Sequence, residues 1–221
     1  MLVCKKCGDL LQDNHKLTID GPSPMKNGVR IITPICKSCD TRITPSYIRN
    51  NNFGNQRVYL LSGTCASGKS SIGKYVEKKY GYILIDGDAI SKRVDYDVKL
   101  GIVKERNEFL VHSEVINMML VVLELGYSVF VSYVFEEIDI EKYKMVLANY
   151  DIIPNIGILV PNRDECIKRD YERECWTAGE DFIDKWYESQ RLLGEKYASN
   201  IIDNSYETIE ETVELHIGKY L

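Results

Sequence analysis

The sequence predicts a three-layer α/β fold around a parallel five-stranded sheet, preceded by a small cysteine-bearing β segment. Three observations carry this expectation. From Val58 onward, short apolar runs alternate with longer stretches of helical period. Gly63–Ser70, GTCASGKS, satisfies the pattern GxxxxGKS/T in full, between one such run and one such stretch. Two CxxC pairs, Cys4/Cys7 and Cys36/Cys39, mark residues 1–48 as a separate unit from the main domain, 57–221.

Within the first unit, HKLTID and VRIIT read as short strands joined by the turn-rich GPSPMKNG. Each CxxC turn can aim two thiolates at one ion, and two turns complete a tetrahedral Zn²⁺ site. A hairpin with a long tip absorbs the 28 residues between the pairs. So short a segment builds little core, so the metal would supply most of its folding free energy. Disulfides or surface thiols are the competing reading. His15 is either a substitute ligand or an exposed loop histidine. With four cysteines on the ion, no position stays open for catalysis. The polar stretch RNNNFGNQ at 49–56 reads as a linker.

In the main domain RVYLLS is a buried strand, and GKSSIGKYVEKKYG is a helix stopped by Gly81. YILID is the second strand. NEFLVHSEVINMMLVVLELG is a long helix with Leu110, Ile116, Met119 and Leu123 as core candidates. YSVFVSYVF, DIEKYKMVLANY and DIIPNIGILV follow as strand, helix and strand. After a charged helical region, TAGEDFIDKWYESQRLLGEKY opens on a capping box, Thr177-x-x-Glu180, and carries a stripe of Phe182, Trp186, Leu193 and Tyr197. NIID is a short fifth strand and YETIEETVELHIGKY a closing helix. Helices between strands imply parallel pairing through right-handed crossovers.

The net charge of −5 is unevenly shared. Residues 1–57 hold nine Lys/Arg against four Asp, and the remainder nineteen against twenty-nine Asp/Glu. The main domain is therefore a poor nucleic-acid surface, whereas the first segment could meet phosphate. No apolar run reaches membrane-spanning length and the start lacks a signal-peptide core, which makes the cytoplasm the expected location.

The glycine-rich stretch is the strongest chemical signal. Glycines let backbone N–H groups of Gly63, Thr64, Cys65, Ala66, Ser67, Gly68, Lys69, Ser70 and Ser71 curl around phosphate oxygens at a helix N-terminus. Lys69 would reach the β- and γ-phosphates of ATP, and Ser70 would ligate Mg²⁺. Helix-end amides could also favour a Cys65 thiolate, against the plainer reading of a small residue that fits. At the end of the second strand, Asp86 and Asp88 can hold a metal-bound water and take a hydroxyl's proton, unless ILIDGDAI is simply an aspartate-rich turn.

Together YLLSGTCASGKSSIGKYV and YILIDGDAI resemble the P-loop small-molecule kinases: the shikimate, gluconate, adenylyl-sulfate and nucleoside or nucleotide kinases. Residues 1–45 resemble a zinc ribbon. The kinase resemblance implies a P-loop NTPase fold, with Asp86 on Mg²⁺ and Asp88 activating the acceptor. It also implies a mobile cationic lid after the fourth strand. Residues 163–173 supply Arg163, Lys168, Arg169 and Arg173 for it, Arg169 being the first candidate for catalysis; a solvated, salt-bridged helix is the alternative. VFVSYVF ends in Ser132 and Tyr133 where a motor ATPase would place a carboxylate, with Glu136 and Glu137 as weak substitutes. His112 and Arg93 are acceptor contacts by location only, and packing is the better reading of His112. The segment around Asp203–Ser205 resembles the one that lines adenine.

The expected function is therefore transfer of the ATP γ-phosphate to a hydroxyl of a small molecule or nucleotide. Two alternatives stand beside it. One is a nucleic-acid 5′-end kinase that grips its strand with the basic zinc segment. The other is a non-catalytic, nucleotide-gated module that binds a protein.

Overall fold

The computed structural model describes residues 7, 15–19, 32–39, 55–173, 177–197 and 200–221. In the first segment β1 (His15–Ile19) pairs antiparallel with β2 (Ile32–Cys36), His15 opposite Cys36 and Ile19 opposite Ile32. The second strand thus extends later than the VRIIT run and delivers Cys36 to the end of the ladder.

From Val58 the elements are β3 (Val58–Gly63), α1 (Lys69–Tyr80), β4 (Ile83–Asp86), α2 (Gly87–Lys99), α3 (Glu108–Glu124) and β5 (Val129–Ser132). Then come α4 (Glu137–Ala148), β6 (Asn155–Leu159), α5 (Arg163–Glu172), α6 (Glu180–Lys196), β7 (Ile201–Ile202) and α7 (Ile209–Thr212). The closing helix is not α-helical throughout: it passes into a π turn at Val213–Ile217 and a 3-10 end at Gly218–Tyr220. Five parallel strands form one sheet in the order β4-β5-β3-β6-β7.

Every residue of β3 is buried, as the central position demands. Its period-two pleat divides the core. Val58 and Leu60 join the cluster of α2, α3 and α4, whereas Tyr59 and Leu61 pack with Ile72, Val76, Val213 and Ile217 on the other face. Burying each such Leu contributes about 1.5–3 kcal/mol. Three layers result, with α3 so enclosed that Val111, Val115, Met119 and Val122 are all buried.

The helix ends follow local chemistry. Gly81 closes α1 in the left-handed region (φ 72°), its N–H donating to Glu77 O. Asn107 caps α3 by accepting from Leu110 N, and Thr208 with Glu211 forms a capping box on α7. The box expected at Thr177–Glu180 does not form. Gly179 is the N-cap of α6, and the buried Asp170 of α5 accepts from Ala178 N and Gly179 N instead. Helix α2, which the sequence pattern did not reveal, begins directly on β4, with Asp86 as its N-cap.

One buried polar group of three ties the layers together. The Ser62 hydroxyl donates to Gln190 Oε1 (2.6 Å) and accepts from Phe135 N (2.9 Å), while Gln190 Nε2 donates to Phe135 O (2.9 Å). Strand β3, the segment after β5, and α6 meet at this point.

Candidate functional site

The carboxyl ends of β3 and β4 open into a cleft of about 1570 Å³. Parallel sheets place ligands there, at the point where successive connections leave in opposite directions. Gly63 makes the first turn possible. A Cβ on it would stand 2.7 Å from Ser67 Oγ and 2.8 Å from Leu159 O, and its φ is 149°. Gly68, at φ 100°, is the N-cap of α1. Between them Cys65 and Ala66 line the cleft, as do Gly68, Lys69, Ser70 and Ser71. Gly63, Thr64 and Ser67 form the buried floor beneath. The Lys69 ammonium donates to Gly63 O (2.8 Å) and Thr64 O (2.7 Å), which holds it against the loop. The Asn204 amide, from the loop after β7, donates to Ser67 O (3.0 Å) and braces the turn from outside.

Asp86 stands beside this loop. Its carboxylate meets the Ser70 hydroxyl and accepts from Asp88 N at 3.0 Å. Burial, and then the neighbouring Asp88 charge, raise its pKa above the ordinary carboxylate range; those hydrogen bonds only partly oppose them. Such a site favours a cation between Ser70 and Asp86, and the oxygen donors suit Mg²⁺. Ser132 lies level with Asp86 on the adjacent strand, so β4 offers a carboxylate where β5 has a hydroxyl. Asp88 is exposed on the cleft wall. Gly87 between them is sterically required, because a Cβ there would lie 2.3 Å from the Tyr133 ring. Burial pushes the Cys65 thiol up and overrides the Lys69 charge, which speaks against a thiolate and for the plainer reading of a small residue that fits.

The arginine-rich stretch forms a packed helix, α5, with Cys166 and Asp170 buried. Arg169 and Arg173 line the cleft, and Arg163 does not. Arg163 instead makes a two-point pair with Asp184 and a further one with Glu180. Arg169 donates to Glu165 and to the carbonyls of Asn204 and Ser205, so it clamps the loop that braces the Gly63–Ser70 turn. Arg173 pairs with Asp170. The loop after Asp203 reaches the cleft through Asn204, Glu207 and Thr208.

Beyond Asp88 the cleft continues between α2, α3, α4 and α6. His112 lines it while nearly buried, its ring nitrogens 3.2 Å from Asp139 and 3.4 Å from the Tyr143 hydroxyl. Burial works against the Asp139 carboxylate, yet the His112 and Glu136 hydrogen bonds prevail and hold its pKa below the usual range. Arg93 pairs with Asp97 and is not part of the wall. Glu136 lines the wall, whereas Glu137 is paired with Lys196. Sequence reasoning overlooked Arg106, Glu108 and Phe109, and noted Tyr133 only as standing where a carboxylate would be, although a signal existed. A helix that feeds a parallel strand must begin at the carboxyl edge of the sheet, so the first turn of α3 belongs beside the Gly63–Ser70 loop. There the Tyr133 hydroxyl donates to Glu108 (2.8 Å), and Arg106 donates to Glu108 and Ser91.

In the first segment the thiols of Cys7, Cys36 and Cys39 lie within 4.8 Å of one another. Cys7 Sγ and Cys36 Sγ are 3.6 Å apart. That is far beyond a disulfide bond and close to the ~3.8 Å edge of a tetrahedron with metal–sulfur bonds of ~2.3 Å. Cys4 and the His15 side chain lie outside the described residues.

No protein-family model matches the chain, and neither does any curated protein sequence. Solved structures do. A gluconokinase from Sinorhizobium meliloti 1021 aligns over 74% of this chain and 90% of its own, at 14% identity and a TM-score of 0.52. The Deinococcus radiodurans tunicamycin resistance protein aligns over 75% and 95%, at 9% identity and a TM-score of 0.57. The likeness is one of fold, and it agrees with the P-loop NTPase architecture of the phosphate loop and parallel sheet.

Proposed function

We propose that the chain is an ATP-dependent kinase that transfers the γ-phosphate to a hydroxyl of a small molecule or nucleotide. The observation that carries this reading is the continuity of the cleft. A nucleotide held at Gly63–Ser71 fills only one end, and Asp88 stands where the second compartment begins. Similarity in fold to a gluconokinase supports it.

Lys69 neutralises the β- and γ-phosphates, and Ser70 with Asp86 would hold Mg²⁺. When bound, Mg²⁺ screens the phosphate charge and aligns the phosphates. Asp88 accepts the proton of the acceptor hydroxyl as its oxygen bonds to the γ-phosphorus. The bond from the γ-phosphorus to the bridging oxygen then breaks, and ADP leaves. Arg173 adds positive charge at the rim, while Arg169 works chiefly by fixing the 204–205 loop. Positioning and electrostatics account for the rate.

The decisive experiment offers labelled ATP with nucleosides, sugars, adenylyl sulfate and 5′-hydroxyl oligonucleotides. Asp88→Asn is expected to lower kcat by about 10²–10⁴ with the KM for ATP unchanged. Tight ATP binding with no acceptor phosphorylated would sink the reading.

The first segment is proposed to be a structural zinc unit held by Cys7, Cys36 and Cys39, with Cys4 as fourth ligand. One Zn²⁺ per chain is expected by elemental analysis, and Cys36→Ser should abolish it. Full zinc content in that variant would refute the assignment.

A further inference from the structure

We infer that the acceptor is a ring-bearing hydroxyl compound that carries no anionic group. This rests on the kinase reading and follows from the charge and apolar surface of the second compartment. Between positions 88 and 142 the cleft lining holds six carboxylates and only three cations. Arg106 is already committed, to Glu108, to Asp95 (3.3 Å) and to the Ser91 hydroxyl. Lys142 lies 4.0 Å over the Phe109 ring and donates to Ser113. Lys92 shares a helix face with Asp88, four residues before it, so its charge lies beside that carboxylate. A carboxylate or phosphate on the acceptor would therefore face a lining in which carboxylates outnumber cations two to one.

The apolar lining says what does fit. Phe109, Ile138 and Met145 are 72%, 74% and 67% exposed, and all three line this compartment together with Trp186. Side chains so placed gain by covering a flat or apolar ring. The carboxylates retain lone pairs for hydroxyl or amino donors on that ring. An uncharged nucleoside meets both demands.

The test uses the full chain with Mg²⁺ and a saturating non-hydrolysable ATP analogue, so that the donor end is filled. Calorimetry then compares adenosine, thymidine and uridine with their 5′-monophosphates, and glucose with gluconate. We expect each uncharged member to bind at least about tenfold tighter than its anion, and the nucleosides to bind tighter than glucose. Phe109→Ala, at an exposed site that should not disturb folding, should weaken nucleoside binding about tenfold and leave the ATP analogue unaffected. Equal or tighter binding of the anions would overturn the inference, as would nucleoside binding indifferent to Phe109→Ala or no binding by any uncharged compound. The kinase reading fails separately, if the nucleosides bind as expected but accept no phosphate from ATP.

Discussion

Burial and the charge of Asp88 raise the pKa of Asp86, so the folded chain takes up a proton there more readily than the unfolded one. This contribution to stability is complete below the unfolded pKa and is lost as pH rises through the folded value. Once ionised, the carboxylate is thus a destabilising group in the absence of a cation. Asp86→Asn should raise the neutral-pH Tm of the ligand-free protein by about 2–4 °C while eliminating Mg²⁺-dependent phosphotransfer. Calorimetry between pH 4 and 8 checks it: the gain should shrink as the pH falls, and a lower neutral Tm would contradict it. That Asp86 stands beside Lys69 and Ser70 was legible in the sequence, because GxxxxGKS closes one strand and ILID is the next. The role of Arg169 was not, since its partners Asn204 and Ser205 are 35 and 36 residues away.

At the scale of elements, the joint between β4 and α2 is the tightest in the site. Helix α2 starts without a connecting loop, and its first residue faces the Tyr133 ring. Gly87→Ala should destabilise the fold by about 1–3 kcal/mol through overpacking, read as a lower urea midpoint with an unchanged slope. It should also displace Tyr133 from Glu108 and so raise the acceptor KM more than the KM for ATP. An unchanged midpoint would mean that the ring yields freely. The five strands, their parallel pairing and the Gly63–Ser70 turn could be foreseen from period and motif, but α2 could not. Its buried residues, Ala89, Ile90, Ser91 and Val94, are few and set among charges. The start of α6 escaped for another reason. Its acceptor, Asp170, comes from a neighbouring helix, and the local Thr177–Glu180 pattern carries no trace of that.

At the scale of the molecule, both apolar clusters lie within residues 58–217. Arg57 also reaches the far end of the chain, donating to Leu221 O at 2.9 Å. A chain starting at Asn55 is therefore expected to unfold cooperatively and to bind an ATP analogue as the full chain does. Urea titration followed by tryptophan fluorescence tests this, and a non-cooperative transition would show that the first segment is part of the core. Among the described residues no helix is long and apolar enough to cross a membrane. The triangle of Ser62, Gln190 and the Phe135 backbone carries a consequence for descent. Losing the hydroxyl alone strands a buried amide N–H and a buried side-chain amide, each of which costs about 1–3 kcal/mol. Replacing Ser62 and Gln190 together by apolar residues of matching shape also strands two groups, the N–H and C=O of Phe135, so the second change adds no further unmet group. Selection therefore sees positions 62 and 190 as one character, and lineages that change either should be found to have changed both.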